Sequence, residues 1–311
     1  MKKPNSQQII KKGSLHSHGL WTDYRNWHEK LRAPFNLDFF FKTCIKYGRD
    51  FQGVLDIMAH LDGEEIFQEE RYKKLIKTAD PKKNYEVESS EIETKIIYED
   101  KKGDEKEFYI IRPQEIILKN PRQHILALNL NHKNNISGGR YVRETLKEIQ
   151  KKGGSGFLNH ALVCGAFREE EIKNYFEEGL ILGTEFNGGV TIDSKLEIYL
   201  ARKVDKKPPL KKDNENILRL EGQVLIVAND DARCKSDVEH GAYTEYLVDK
   251  NSKRPLTERL IESMKNEIKS GLNGDYIQRN DQYSSWHSIW AHGINGYISE
   301  LTPWVKGFPI C

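Results

Sequence analysis

The stretch Gly13-Ser14-Leu15-His16-Ser17-His18-Gly19-Leu20-Trp21-Thr22-Asp23 governs how the rest of the chain is interpreted. If Ser14 to His18 is extended, alternate side chains project the same way, so the imidazoles of His16 and His18 leave one face of a strand end together. Two convergent neutral imidazoles are half of a metal site. The same spacing also fits a surface pair or two hydrogen-bonded histidines, so the other half must come from elsewhere in the chain.

Downstream, Asn36 is placed to cap a helix through Tyr47, with Leu37, Phe40, Phe41, Cys44 and Ile45 on one stripe and Gly48 at its end. A strand over Phe51 to Met58 follows and sets Asp56 near its carboxyl end. Strand, helix and strand at this spacing form a βαβ unit with a parallel pair. Glu64 to Lys77 has helical character. Ile92, Thr94, Ile96 and Tyr98 alternate with polar residues, and Lys102-Gly103-Asp104 turns the chain toward Phe108, Ile110 and Ile111, a hairpin excursion over about 86–112. Glu115 lies just past Pro113, and His124 to Leu130 is a buried strand opened by its histidine. A helix from Gly138 to Lys152, a strand from Gly156 to His160, and a helix from Glu169 to Glu178 come next. A strand from Leu180 to Phe186 brings Glu185 and Asn187 to its end. After a strand near Ile198 to Ala201 and a flexible loop over Lys203 to Asn216, the strand Gln223 to Ala228 delivers Asp230 and Asp231. Pro255 to Gly271 is an amphipathic helix, and an aromatic extension closes the chain within about 240–311, where His287 and His292 have structural roles.

Composition bounds the classes of function. The 311 residues suit one large α/β barrel, here taken as a single domain over 1–311, or two ordinary domains. Lys plus Arg (49) nearly balances Asp plus Glu (47), and a net charge of +2 favours neither a dedicated nucleic-acid surface nor a membrane surface. Cys44, Cys164, Cys234 and Cys311 are far apart and form no Cys-x-x-Cys, which argues against a zinc ribbon or a disulfide scaffold and for reduced thiols in the cytoplasm. No secretory leader and no membrane span are expected, given 31% charged residues and a mean hydropathy of -0.71.

His16, His18, Asp56, Glu115, His160 and Asp231 all end inferred strands, while His124 opens one. In parallel α/β barrels the carboxyl ends of the strands carry the site. Imidazoles and carboxylates without thiolate suit Zn, Mn or Fe, and one Glu can bridge two ions. His60 is a candidate replacement ligand, His132 a surface histidine, and Asp23 and His28 candidates for assisting a leaving group.

These residues resemble, in order, the motifs of the polymerase and histidinol phosphatase (PHP) superfamily of metal-dependent phosphoesterases. The matching segments are Leu15-His16-Ser17-His18 with Thr22-Asp23, Leu55-Asp56-Ile57, Pro113-Gln114-Glu115 with His124-Ile125-Leu126, Asn159-His160-Ala161, Glu185-Phe186-Asn187, and Asp230-Asp231-Ala232-Arg233. The resemblance implies a distorted (β/α)7 TIM-like barrel with an inserted β-hairpin. It implies one ion on His16, His18, Glu115 and Asp231, and a second on Glu115, His124 and His160. Ile57 and Arg233 stand where the family has histidines of a third site, so two divalent ions are expected, with Arg233 binding substrate phosphate in place of the third. Asp56 is expected to be catalytic or to orient His16, and Asn187 to contact substrate. The implied activity is hydrolysis of a small phosphomonoester or nucleotide by a metal-activated water. A nucleic-acid end is the second choice, with Arg202 to Lys212 as its basic track. A barrel hydrolase of a C–N or C–O bond, or a degenerate module binding a phosphorylated ligand, are the alternatives.

Overall fold

The computed structural model describes residues 1–22, 36–60, 66–120, 122–159, 161–162, 166–188 and 210–282, and the side chains of all these except 19–22, 60, 66–67, 69, 210–213 and 233–236. Within them the chain is a mixed α/β structure built on two seven-stranded sheets. The first contains β1 (Gln8–Ser14), β3 (Phe51–Gly53), β6 (Tyr85–Ser89), β7 (Glu93–Glu99), β8 (Glu105–Ile111), β15 (Tyr243–Asp249) and β16 (Ile277–Asn280), in the order β16-β15-β1-β3-β8-β7-β6. The second contains β4 (Asp56–His60), β5 (Ile66–Glu70), β9 (Gln114–Ile117), β10 (His124–Leu128), β11 (Ser155–Asn159), β12 (Gly183–Asn187) and β13 (Ile226–Asn229), in the order β13-β12-β11-β10-β9-β4-β5. A short parallel pair, β2 (Ser17–Thr22) with β14 (Ala232–Cys234), stands apart. The helices are α1 (Leu37–Lys46), α2 (Arg71–Ile76), α3 (Val142–Lys151), α4 (Glu169–Glu177), α5 (Leu210–Leu218), α6 (Lys235–His240) and α7 (Leu256–Lys269).

The run Phe51 to Met58 reads as one strand but folds as two, one in each large sheet. Val54 and Leu55 carry the chain across, fully buried, and their amides donate to Ile111 O at 2.9 Å and Ser17 O at 3.0 Å, so the crossing leaves neither amide orphaned. Gly53 makes the crossing sterically possible, because a Cβ there would sit 2.2 Å from Leu15 O. As a result Asp56 opens β4 rather than ending a strand.

The sheets are mixed where a parallel core was expected. β1–β3, β3–β8, β4–β9, β11–β12 and β12–β13 are parallel, but β10 runs antiparallel to both β9 and β11. The reason is connection length. Only Leu118 to Gln123 join β9 to β10, and a parallel return needs roughly a dozen residues or more. The helical pattern of Glu64 to Lys77 also divides: Ile66–Glu70 pairs antiparallel with the edge of β4 as β5, and only Arg71–Ile76 is helical. An available strand edge overrides local helix propensity. Part of the expected loop over Lys203 to Asn216 is the start of α5, while residues 198–201 and 283–311, the last part of the aromatic extension, lie outside the described residues. The hairpin residues do pair, Glu93 with Ile111 through Glu99 with Glu105, yet β8 lies inside the first sheet beside β3 instead of leaving a core.

Leu15, Phe51, Tyr109, Ile111 and Tyr246 of the first sheet and its margin pack on Leu126, Leu128, Phe157, Leu225 and Val227 of the second, with Leu256, Leu260 and Met264 of α7 closing the same cluster. Each such side chain contributes about 1.5–3 kcal/mol by burial. α3 and α4 cover the opposite face of the second sheet through Leu146, Ile149 and Ile172. α1 packs Phe40, Phe41 and Cys44 against Ile96, Phe108 and Ile110, and its Asn36 cap accepts from Phe39 N at 2.8 Å, as the stripe and cap in the sequence require.

Candidate metal centre

Register determines which polar side chains meet. Cross-strand partners share a sheet face, as do residues i and i+2. Glu115 is paired with Leu126 and Glu185 with Val227, and both apolar partners belong to the core between the sheets, so the two carboxylates stand on that inner face. His124 is paired with Ile117 on one side and with Asn159 on the other. Its position at the start of a strand is therefore no anomaly: in an antiparallel strand, the first residue lies at the edge where its neighbours end.

His16 and His18 point their Nε2 atoms at one oxygen, Asp231 Oδ1, at 3.4 and 3.1 Å. Their ring centroids are 5.5 Å apart, and the three residues each bring a ligand-competent atom within 4.8 Å of the others. The parallel β2–β14 pair, with Ala232 opposite Ser17, brings Asp231 to the histidines. Asp231 has φ +46°, a left-handed conformation that few non-glycine residues adopt, so the backbone here is held by its surroundings. Its neighbour Asp230 faces elsewhere, accepting from Gln52 Nε2 at 2.9 and 3.0 Å with Arg49 at 3.7 Å. Of the two aspartates, Asp231 is the one at the cluster.

His16 is held from behind. Its Nδ1 lies 3.2 and 3.0 Å from the two oxygens of Glu185, whose Oε2 also accepts from Asn229 Nδ2 at 2.9 Å. Asn229 Oδ1 in turn accepts from Leu15 N at 2.8 Å. Donation from Nδ1 to Glu185 leaves Nε2 as the atom presented to Asp231. Burial opposes a charge on His16, but Glu185, Asp231 and Glu115 outweigh it and push its pKa up to about 10. Glu115 is the converse case: burial would raise its carboxyl, yet the His124 Nδ1 bond at 3.0 Å and the His124, His16 and His18 charges hold it well below the usual range. Glu115 thus links the His124 pair electrostatically to the His16–His18 pair. On the other side, Arg71 donates from Nη1 to His18 Nδ1 at 2.8 Å and to His18 O at 3.2 Å. A guanidinium has no acceptor, so His18 Nδ1 is the accepting nitrogen here, and binding a cation through Nε2 requires Arg71 to leave it.

Not every expected residue joins the cluster. Asp56 is engaged elsewhere: its Oδ2 takes Arg112 Nε at 2.7 Å and its Oδ1 takes Tyr72 N at 3.0 Å, all inside the protein, so it anchors α2 and Arg112. Its position at the start of β4, set by the sheet crossing, is the cause. Ile57 shares a face with Glu115 and packs with Ala59 and Ile117 in an apolar patch. Asn187 is buried at the end of β12, and its backbone exchanges hydrogen bonds with the Asn214 side chain of α5 at 3.2 and 2.6 Å. His132 stands 3.9 Å from Glu70, away from the cluster. His160, Asp23, His28, His287 and His292 lie outside the described residues, as do the side chains of His60 and Arg233. Glu185 was legible as a strand end and in the Glu185-Phe186-Asn187 match, Asn229 only as a polar residue closing an apolar strand, and Arg71 carried no signal at all, because the β5–α2 junction alone places it.

The donor set fits a divalent cation. Two imidazole nitrogens and a carboxylate oxygen converge, anionic groups surround them, and a carboxylate fixes one ring from behind, the arrangement usual for histidine ligands of Zn, Mn or Fe.

No family model matches the chain, and no curated protein matches it in sequence. Among solved structures, the crystal structure of the lesion-specific endonuclease PfuEndoQ from Pyrococcus furiosus is similar, with a TM-score of 0.48 and 12% identity over 83% of this chain and 56% of that one. The chain therefore spans little more than half the length of that protein, and similarity at this level assigns neither a family nor an activity.

Proposed function

We propose that the chain is a metal-dependent hydrolase of phosphoesters, built as a PHP-type barrel around two divalent ions. The observation that carries this is the convergence of His16, His18 and Asp231 within 4.8 Å, with Glu185 holding His16 and the Glu115–His124 pair coupled to it. His16, His18 and Asp231 would hold one ion, and Glu115, His124 and His160 would be the residues to hold a second. Ions held there supply Lewis-acid polarisation of a phosphoryl oxygen and a water acidic enough to attack near neutral pH. Glu185 keeps the His16 proton on Nδ1, away from the ligand atom. Arg233, which follows Asp231 and Ala232 in the sequence, would offer a permanent donor fork to phosphate oxygens.

Small phosphomonoesters, nucleotides and nucleic acid stand together as substrates to test. The net charge of +2 is a whole-chain quantity and does not describe the charge beside the cluster. The experiment is metal content by mass spectrometry on wild type and Glu115→Ala, run beside assays on phosphomonoesters, phosphodiesters and DNA carrying nicks or ends. Ions in the wild type, lost together with hydrolysis in the variant, support the proposal. A protein that takes up no Mn, Zn or Fe on reconstitution refutes it.

A further inference from the structure

Asn159 closes β11 and has 0% exposure, yet neither its Nδ2 nor its Oδ1 has a hydrogen-bond partner among the described residues. Burying a polar group without a partner is costly, and native proteins keep few such groups without a use for them. Its location suggests the use. Asn159 is two residues beyond Phe157, which packs in the core between the sheets, so its side chain stands on the same inner face. Across β10 its partner is His124, which holds Glu115. On the other side the parallel register, Phe157 with Gly183 and Leu158 with Thr184, brings it level with Glu185, which holds His16. The orphaned amide therefore lies in the row that joins the two halves of the cluster.

We propose that Asn159 is a residue of the metal centre, its amide satisfied when the centre is loaded. A side-chain carbonyl is a neutral, hard oxygen donor of the kind that suits Mn and accompanies carboxylates and water. The proposal rests on the metal-dependent reading above, and its test uses binding and stability instead of turnover. Asn159→Leu removes the orphaned amide while keeping the number and branching of the side-chain heavy atoms. Full-length wild type and variant are titrated calorimetrically with Mn(II) and with Zn(II), and their thermal unfolding is followed with and without the ion.

The expected result has two parts of opposite sign. The metal-free variant melts higher than metal-free wild type, because a buried amide without partners is gone. Its affinity for the ion that binds wild type falls by about 10–100-fold, as loss of supporting groups around metal ligands typically does. Asn159→Ala repeats the binding measurement should the leucine side chain disturb folding. Affinities within twofold of wild type in both variants overturn the proposal, leaving Asn159 a buried amide with no part in the centre. Wild type that binds neither ion removes the metal reading itself and this inference with it. Wild type that binds an ion but hydrolyses nothing removes only the hydrolase, and the Asn159 comparison still decides.

Discussion

His16 has a carboxylate against each ring nitrogen, Glu185 at 3.0 Å on Nδ1 and Asp231 at 3.4 Å on Nε2, and the two have different jobs. Nε2 shares its neighbourhood with His18, so in the proposed centre Nε2 would be the ligand atom and Glu185 would fix the tautomer and ring angle. Glu185→Ala is expected to keep the fold and lose about 10–100-fold in metal affinity. Glu185→Gln, which can still accept from Nδ1, should recover much of that loss, and calorimetric titration reads both. Equal affinity in all three proteins would assign Glu185 a purely structural role. Asp56 gives the contrasting expectation. Its pair with Arg112 is fully buried, and Arg112 also donates to Leu130 O and Asn135 Oδ1, each at 2.8 Å. Arg112→Met leaves an unpaired buried carboxylate and should cost about 3–5 kcal/mol by denaturant unfolding. Metal content per folded chain should stay unchanged.

At the scale of elements, the N-terminus of α7 is capped from far away in sequence. Pro255 supplies no side-chain cap, and Glu93 of β7 does so instead, accepting from Leu256 N at 2.9 Å, Thr257 N at 2.8 Å and Thr257 Oγ1 at 2.9 Å. A buried anion at a helix N-terminus satisfies orphan donors and opposes the helix dipole. Glu93→Ala should therefore cost about 2 kcal/mol in urea unfolding, in the upper range for cap loss. This bond shows where the sequence stops being informative. The apolar stripe of α7 was plain from Leu256, Leu260, Ile261 and Met264, because periodicity is local. The cap was invisible, because it depends on which strand lies across the sheet. The division of Phe51 to Met58 between two sheets was hidden for the same reason: an apolar run looks alike whether one sheet buries it or two. His124, by contrast, was singled out by the resemblance to the PHP motifs, although its position opening a strand became intelligible only once β10 proved antiparallel.

For the whole molecule, the cluster stands where separately built parts meet. His16 lies between β1 of the first sheet and β2 of the short pair, Asp231 immediately precedes β14, and Glu115, His124 and Glu185 belong to the second sheet. The order of these residues along the chain was legible because each is a chemically distinctive side chain at the edge of an apolar run. Their convergence was not, since it depends on pairings between strands far apart in sequence. A cation bound there neutralises the excess of carboxylates around His16 and ties all three sheets together, and none of that exists in the unfolded chain. Binding energy then appears as folding energy. At an ion concentration one hundred times Kd the gain is about 2.7 kcal/mol, and at roughly 2–4 °C per kcal/mol for a domain approaching this size, the midpoint should rise by about 5–10 °C. Calorimetric scans with and without the ion, followed by chelation, measure it. The rise should reverse with chelator, increase with the logarithm of ion concentration and shrink in His16→Ala. A midpoint that ignores both ion and chelator would mean that the sheets are held together without any metal at their junction.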